Sequence, residues 1–222
     1  QQFMNPVIER LGLRFADGII VSPSEVNLDD LVAANIKEGA AKVSENYIRY
    51  FRSGYSIMTP SACAVEVIDS AKGFEITEVL ASAGKGSWVE KETTDFINEK
   101  SVLNPAVGEV EKSNSIMLYL TRPVNNKEQR IFVIGDADCI STLELSQNRP
   151  GFRSSNFTLI TETFRNLSYG EFPVEASRVN PPDDRVLVTR NVIFGIRVVL
   201  MWIIPLLFVT GCITLLIRRK RK

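Results

Sequence analysis

Near the C-terminus, Val198–Ile217 runs for twenty residues without a charge, mostly apolar, and passes directly into Arg218-Arg219-Lys220-Arg221-Lys222. Twenty helical residues rise about 30 Å, the thickness of a bilayer's hydrocarbon core. A buried helix of a soluble domain is the competing reading, and such helices are usually shorter. Pro205 and Gly211 are compatible with a span, because neighbouring groups re-satisfy the backbone there. Arg197 precedes the run and can snorkel to the interface, with Trp202 a turn deeper. The five cations predict a cytoplasmic C-terminus and place the preceding chain on the other side of the membrane. Read alone, the tail also fits a nucleic-acid patch. Joined to a span it reads as a topology signal that touches anionic lipid heads, and no nucleic-acid partner is expected.

The expected organisation is a soluble domain over 1–180, a linker over 181–191 containing Pro181-Pro182-Asp183-Asp184, a spanning helix over 192–217 and a basic tail over 218–222. About 180 residues can bury a sizeable core. Lys and Arg number 26 and Asp and Glu 26, so the balance implies no general affinity for polyanions. Histidine is absent, which removes the commonest general base and zinc ligand and every histidine-containing triad. Of three cysteines, Cys212 lies in the span. Cys63 and Cys139 read as small apolar core residues, a bridge between them being the alternative. Gln1-Gln2-Phe3-Met4 offers no basic n-region and apolar core for membrane entry, so the sequence is expected to be the C-terminal part of a longer polypeptide.

Asn5-Pro6 through Gly12 predicts a short helix, with Asn5 as N-cap, Pro at the first helical position and Gly past the end. Phe15–Val21 predicts a strand with a turn at Asp17-Gly18. Leu28–Phe51 carries Leu28, Leu31, Val32, Ile36, Val43, Tyr47, Ile48 and Phe51 at threes and fours, predicting a helix weakened at Gly39. Extended pieces are expected at Tyr55–Met58, Ala62–Ile68 and Phe74–Thr77, and a loop over Val79–Glu90. Ser115–Thr121 alternates like a strand, and Arg122–Gln129 reads as a polar hairpin or loop. Ile131-Phe132-Val133-Ile134 suits a strand covered on both faces. Asn156–Tyr169 predicts a helix capped by Asn156 and closed by Gly170. Strand, loop and helix in that order predict an α/β fold with a partly parallel sheet flanked by helices.

Asp136 and Asp138 are the candidate ligand or metal residues. Ligands of open α/β sheets bind beyond the carboxyl ends of strands, and two carboxylates there suit Mg²⁺ or Ca²⁺. The alternative is that Asp136 caps the following turn while Asp138 faces solvent. Gly84-Lys85-Gly86-Ser87 lacks the leading glycine of a phosphate loop. Cys63 in Ser61-Ala62-Cys63 has no histidine to ionise it. Asn156-Phe157-Thr158 and Asn166-Leu167-Ser168 fit the glycosylation pattern but fall inside a predicted helix. No cofactor is implied.

Taken in order, these segments resemble the GldG-like family of ABC-transporter auxiliary proteins, whose prototype serves bacterial gliding motility. The resemblance rests on Asn5 to Phe15 (NPVIERLGLRF), Asp17-Gly18-Ile19-Ile20-Val21, Ser87-Trp88, Arg130 to Ser141 (RIFVIGDADCIS), Pro182-Asp183-Asp184-Arg185, and a Pro-containing span with a basic tail. Asn166-Leu167 stands where the family has a Trp-Leu pair. The resemblance implies a non-catalytic domain on the periplasmic side of the bacterial cytoplasmic membrane. That domain is similar to class I glutamine amidotransferases, incomplete at its N-terminus, and anchored beside an ABC-type permease and ATPase. Two other classes remain: a metal-assisted hydrolase centred on Asp136 and Asp138, and a free-standing membrane-anchored ligand-binding sensor domain.

Overall fold

The computed structural model describes residues 3–69, 73–149, 151–172 and 190–220, which divide into two units, Gln1–Glu175 and Ala176–Lys222. Most of the linker expected over 181–191, including Pro181-Pro182-Asp183-Asp184, lies outside the described residues, as do Arg221 and Lys222.

The first unit contains β1 (Leu13–Phe15), β2 (Ile19–Val21), β3 (Leu31–Ile36), β4 (Ile57–Pro60), β5 (Val65–Val67), β6 (Glu75–Ala81), β7 (Trp88–Glu90), β8 (Ser115–Val124) and β9 (Lys127–Ile134). Its helices are α1 (Asn5–Ile8), α2 (Glu45–Arg52), α3 (Thr142–Ser146) and α4 (Asn156–Leu167). Five strands form one sheet in the order β4-β3-β6-β8-β9, while β1 pairs with β5 and β2 with β7 in two small sheets.

All these strand pairs are antiparallel, so the partly parallel sheet of amidotransferase type expected from the sequence is not what forms. Among the described residues, parallel pairing is confined to an isolated bridge between Ser56 and Ser154. The reason lies at Asn125-Asn126, whose φ values of 47° and 63° make a two-residue turn between the paired Val124 and Lys127. Positive φ at both central residues matches the twist of a tight hairpin, so the apolar run 131–134 returns beside β8 instead of arriving through a helical crossover. The run is covered on both faces as expected. Phe132 and Ile134 pack with one core cluster and Ile131 and Val133 with another, and Phe132 stacks on Tyr119 at 4.6 Å between centroids.

Helices α2 and α4 cover the first face, where Tyr47 and Leu159 join Val32, Ala34, Ile36 and Ile116. The Tyr47 hydroxyl donates to Leu159 O at 2.9 Å and ties the two helices together. On the other face α1 and the β1-β5 ribbon supply Ile8, Leu13, Phe15 and Val65 against Leu118 and Leu120.

Several local expectations change. Leu28–Phe51 is not one helix: Val32, Ala34 and Ile36 alternate inward as β3, a tight turn covers Glu38–Lys42, and only Glu45–Arg52 is α-helical. Gly39 sits against β6, where a Cβ would meet Thr77 Cγ2 at 2.8 Å and Glu78 O at 3.0 Å. Within the expected loop Val79–Glu90, both ends are strands, with Val79–Ala81 buried in β6 and Trp88–Glu90 forming β7. Asn5 and Asn156 are not N-caps; Met4 and Ser155 hold those positions. Asn5 instead pairs with a strand residue, donating to Phe15 O at 3.1 Å and accepting from Phe15 N at 2.8 Å. The separate strands β1 and β2 replace the single strand expected over Phe15–Val21.

The described residues of the second unit form a continuous helix, with α5 (Arg190–Val198), a widened π turn over Val199–Ile203, and α6 (Ile204–Lys220). Pro205 has no N–H for the Met201 carbonyl and its ring crowds that oxygen, and the widened turn just before it relieves both. Within it Val192–Lys220, 29 residues, is long and apolar enough to cross a membrane, with none of its most apolar stretch buried. Thr210 and Thr214 hydroxyls donate to Leu207 O and Thr210 O, which satisfies them within the helix itself.

Candidate functional site

Beyond β9 the chain turns at Gly135, whose N–H donates to Ile116 O at 2.8 Å and whose carbonyl accepts from Cys63 N at 2.9 Å and Cys63 Sγ at 3.1 Å. A Cβ at Gly135 would fall 1.9 Å from Cys63 O. Gly135→Ala is therefore expected to destabilise the first unit by about 1–3 kcal/mol, measured as a lower denaturant midpoint, because two backbone segments would have to part.

This close passage delivers Asp136 to the interior at 5 % exposure and leaves Asp138 on the surface. Asp136 Oδ1 accepts from Asp138 N at 2.7 Å, so it caps the turn over Asp138–Ile140, while Oδ2 is buried without a hydrogen-bond partner. Burial pushes the Asp136 carboxyl up from 3.8 to about 7. The N–H groups of Asp138 and Cys139 oppose that rise, and the charges of Asp138 and Glu144 add to it. Cys139, fully buried, is pushed up to about 12 by burial and then by Asp136, which keeps its thiol protonated and unreactive. Its Sγ contacts Asp136 O at 3.3 Å, and Cys63 and Cys139 are not bridged to each other.

The two candidate carboxylates thus diverge, one inward and one outward. Among the described residues no group of three or more His, Cys, Asp or Glu side chains comes together to hold a metal ion. Glu144, a further carboxylate whose charge acts on Asp136, is buried in an ion pair with Arg149.

Asn156 stands next to this turn at 1 % exposure. Its Nδ2 donates to Met58 O and to Cys139 O, each at 2.7 Å, and its Oδ1 accepts from Met58 N at 2.9 Å and Ser154 Oγ at 2.7 Å. One amide therefore joins β4, the turn after β9 and the start of α4. Its glycosylation pattern is a coincidence of sequence, since the nitrogen is committed and enclosed.

In the loop 82–87, the Gly86 N–H donates to the Glu111 carboxylate, so that loop does not cradle phosphate. A better formed concavity lies close by, a cleft of about 350 Å³ between the two small sheets. One wall carries Arg14, Ala16 and Asp17 from β1 and its following turn, with Glu66 from β5. Val89 and Lys91 form the second wall with Gly108, Val110 and Lys112. Alternate residues turn away: Glu90 and Glu109 are each 2 % exposed, and Glu111 faces Gly86. Glu109 Oε1 accepts from Lys91 N at 2.9 Å and Oε2 from Asn104 N at 2.8 Å, which fastens the 108–112 segment to the chain just after β7. Burial works to raise Glu90, yet the N–H groups of Thr93 and Glu92, the Trp88 indole and the Glu109 side chain together hold it below the usual carboxylate range.

The cleft went unseen in the sequence because Arg14, Glu66, Lys91 and Lys112 are far apart along the chain. The alternation of Val89-Glu90-Lys91 and of Gly108 to Lys112 is the signal that could have marked two of its edges.

In the second unit Arg197, Trp202, Pro205 and Gly211 lie along the helix with exposed side chains, and a Cβ at Gly211 would meet nothing within 4 Å. Arg218, Arg219 and Lys220 form its last turn. Comparison with protein-family models, curated proteins and solved structures finds no match for the chain. The class defined by the described residues is a mixed helix and strand unit with antiparallel sheets, followed by one helix able to cross a membrane.

Proposed function

We propose that the chain is a non-catalytic, membrane-anchored auxiliary or scaffold subunit of an ABC-type transport or gliding-motility complex. In this reading the first unit lies on the periplasmic side of a bacterial cytoplasmic membrane and the C-terminus is cytoplasmic. The observation that carries it is the helix Val192–Lys220, long and apolar enough to span a membrane, uncharged from Val198 to Ile217 and ending in Arg218-Arg219-Lys220. The ordered resemblance of the soluble segments to the GldG-like family supports the choice of complex.

A single helix encloses no conduction path, so the subunit acts by docking against the spanning helices of a permease, with an ABC-type ATPase on the cytoplasmic side. Thr210 and Gly211 provide the close-approach surface, since small residues let helix backbones meet where lipid gives no hydrophobic drive.

Purification of the tagged full chain from native membranes in mild detergent, followed by mass spectrometry, tests this reading. It is expected to recover a polytopic permease and an ABC ATPase, and Gly211→Leu is expected to reduce that recovery severalfold. Recovery of the chain alone, under conditions that keep other membrane complexes together, would contradict it. The metal-assisted hydrolase gains no third ligand from the geometry around Asp136 and is not favoured.

A further inference from the structure

We propose that the cleft between the two small sheets binds a short zwitterionic peptide, its carboxylate held by Lys91 and Lys112 and its ammonium by Asp17 and Glu66. This goes beyond the transport-complex reading and holds whether or not the chain partners a permease.

The charge on the two walls is unequal. The second wall offers two ammonium groups and no carboxylate, because the intervening Glu109 and Glu111 are turned away to backbone N–H groups. The first wall offers Asp17 and Glu66 with one cation, Arg14, and that cation stands opposite Glu66 in the β1-β5 register and 4.0 Å from Glu9. A ligand that satisfies both walls therefore carries opposite charges at its two ends.

The basic wall is also set in advance. Lys91 Nζ donates to Val107 O at 3.1 Å and Gly108 O at 3.2 Å, which fixes the ammonium and leaves its third hydrogen for a ligand. Buried Glu109 holds the same wall from behind, so little ordering remains to be done on binding. Ala16, Val89 and Val110 supply the apolar surface between the charges. The volume, at the small end of ligand pockets, suits a di- or tripeptide. An uncharged sugar would leave the charges unanswered, and an inorganic anion would leave the acidic wall and the apolar surface without contacts.

Isothermal titration of the purified full chain in detergent micelles tests the site. The probes are free dialanine and divaline, N-acetyl dialanine amide, which has neither terminal charge, and inorganic phosphate. The free dipeptides are expected to bind saturably, and at least about tenfold more tightly than the blocked peptide or phosphate, the worth of a lost charge-assisted hydrogen bond. Lys112→Glu and Asp17→Lys are each expected to weaken that binding about tenfold or more while leaving the unfolding midpoint within error, both side chains being exposed. Absence of saturable binding by either free dipeptide would overturn the proposal. So would equal binding of the blocked peptide or of phosphate, or dipeptide binding unchanged in both folded variants.

Discussion

Asn156→Ala is expected to lower the stability of the first unit by about 3–5 kcal/mol, read as a shift of the denaturant midpoint of the full chain in detergent. The variant strips partners from Met58 N, Met58 O and Cys139 O at once, all of them buried. Each orphaned buried group costs about 1–3 kcal/mol, since no water reaches it to replace the lost bond. Asn156→Asp, nearly isosteric, is expected to be at least as damaging. It keeps the acceptor for Met58 N but presents oxygen to two carbonyls that need a donor, and it adds a buried charge. Loss of less than about 1 kcal/mol in both variants would show that the amide is not the tie between β4 and α4.

Asp136→Asn is expected to change stability relative to the wild type by an amount that grows with pH. The carboxyl titrates at about 7 in the folded chain against 3.8 when unperturbed. The folded chain therefore holds a proton that the unfolded chain has already released, and this group's contribution is complete below pH 3.8 and is lost as pH rises through about 7. At 1.36 kcal/mol per unit, and after allowance for solvent screening, the loss amounts to about 2–4 kcal/mol. Asn keeps the acceptor for Asp138 N and has no proton to release. The variant is thus expected to match the wild type at pH 4 and to exceed it by that margin at pH 8. Asp29 and Glu90 slope the other way. Burial works to raise each of them, but for Asp29 hydrogen bonds from Ser101 and Lys100 prevail, and both are held below their usual values. That slope is common to both proteins, so the difference between them isolates Asp136. A difference that stays constant with pH would contradict the assigned burial.

What the sequence made legible was local. The span can be counted residue by residue, α4 shows in the stretch closed by Gly170, and Arg122–Gln129 reads as a polar hairpin or loop without fixing which strands it joins. The turn-capping role weighed for Asp136 is the one it takes. Pairing direction was not legible, because whether Ile131-Phe132-Val133-Ile134 lies parallel or antiparallel depends on which strand it meets, and a run covered on both faces satisfies either. Strand β3 was missed for a different reason. Its inward residues at 32, 34 and 36 include Ala34, too small to register as apolar patterning, so Leu28, Leu31 and Val32 gave a false helical period. The depth of Asp136 could not be read either, since it follows from Gly135 passing beneath Cys63, a contact between segments 72 residues apart. The cleft depends in the same way on β1, β5, β7 and the 108–112 segment converging.

Protease added to intact spheroplasts carrying the full chain with a C-terminal tag tests the anchored arrangement most directly. The account predicts that the first unit is digested, that a fragment containing Val192–Lys220 and the tag survives until the membrane is opened, and that alkaline carbonate leaves this fragment in the pellet. A tag removed from intact spheroplasts while the first unit survives, or release of the whole chain by carbonate, would contradict it.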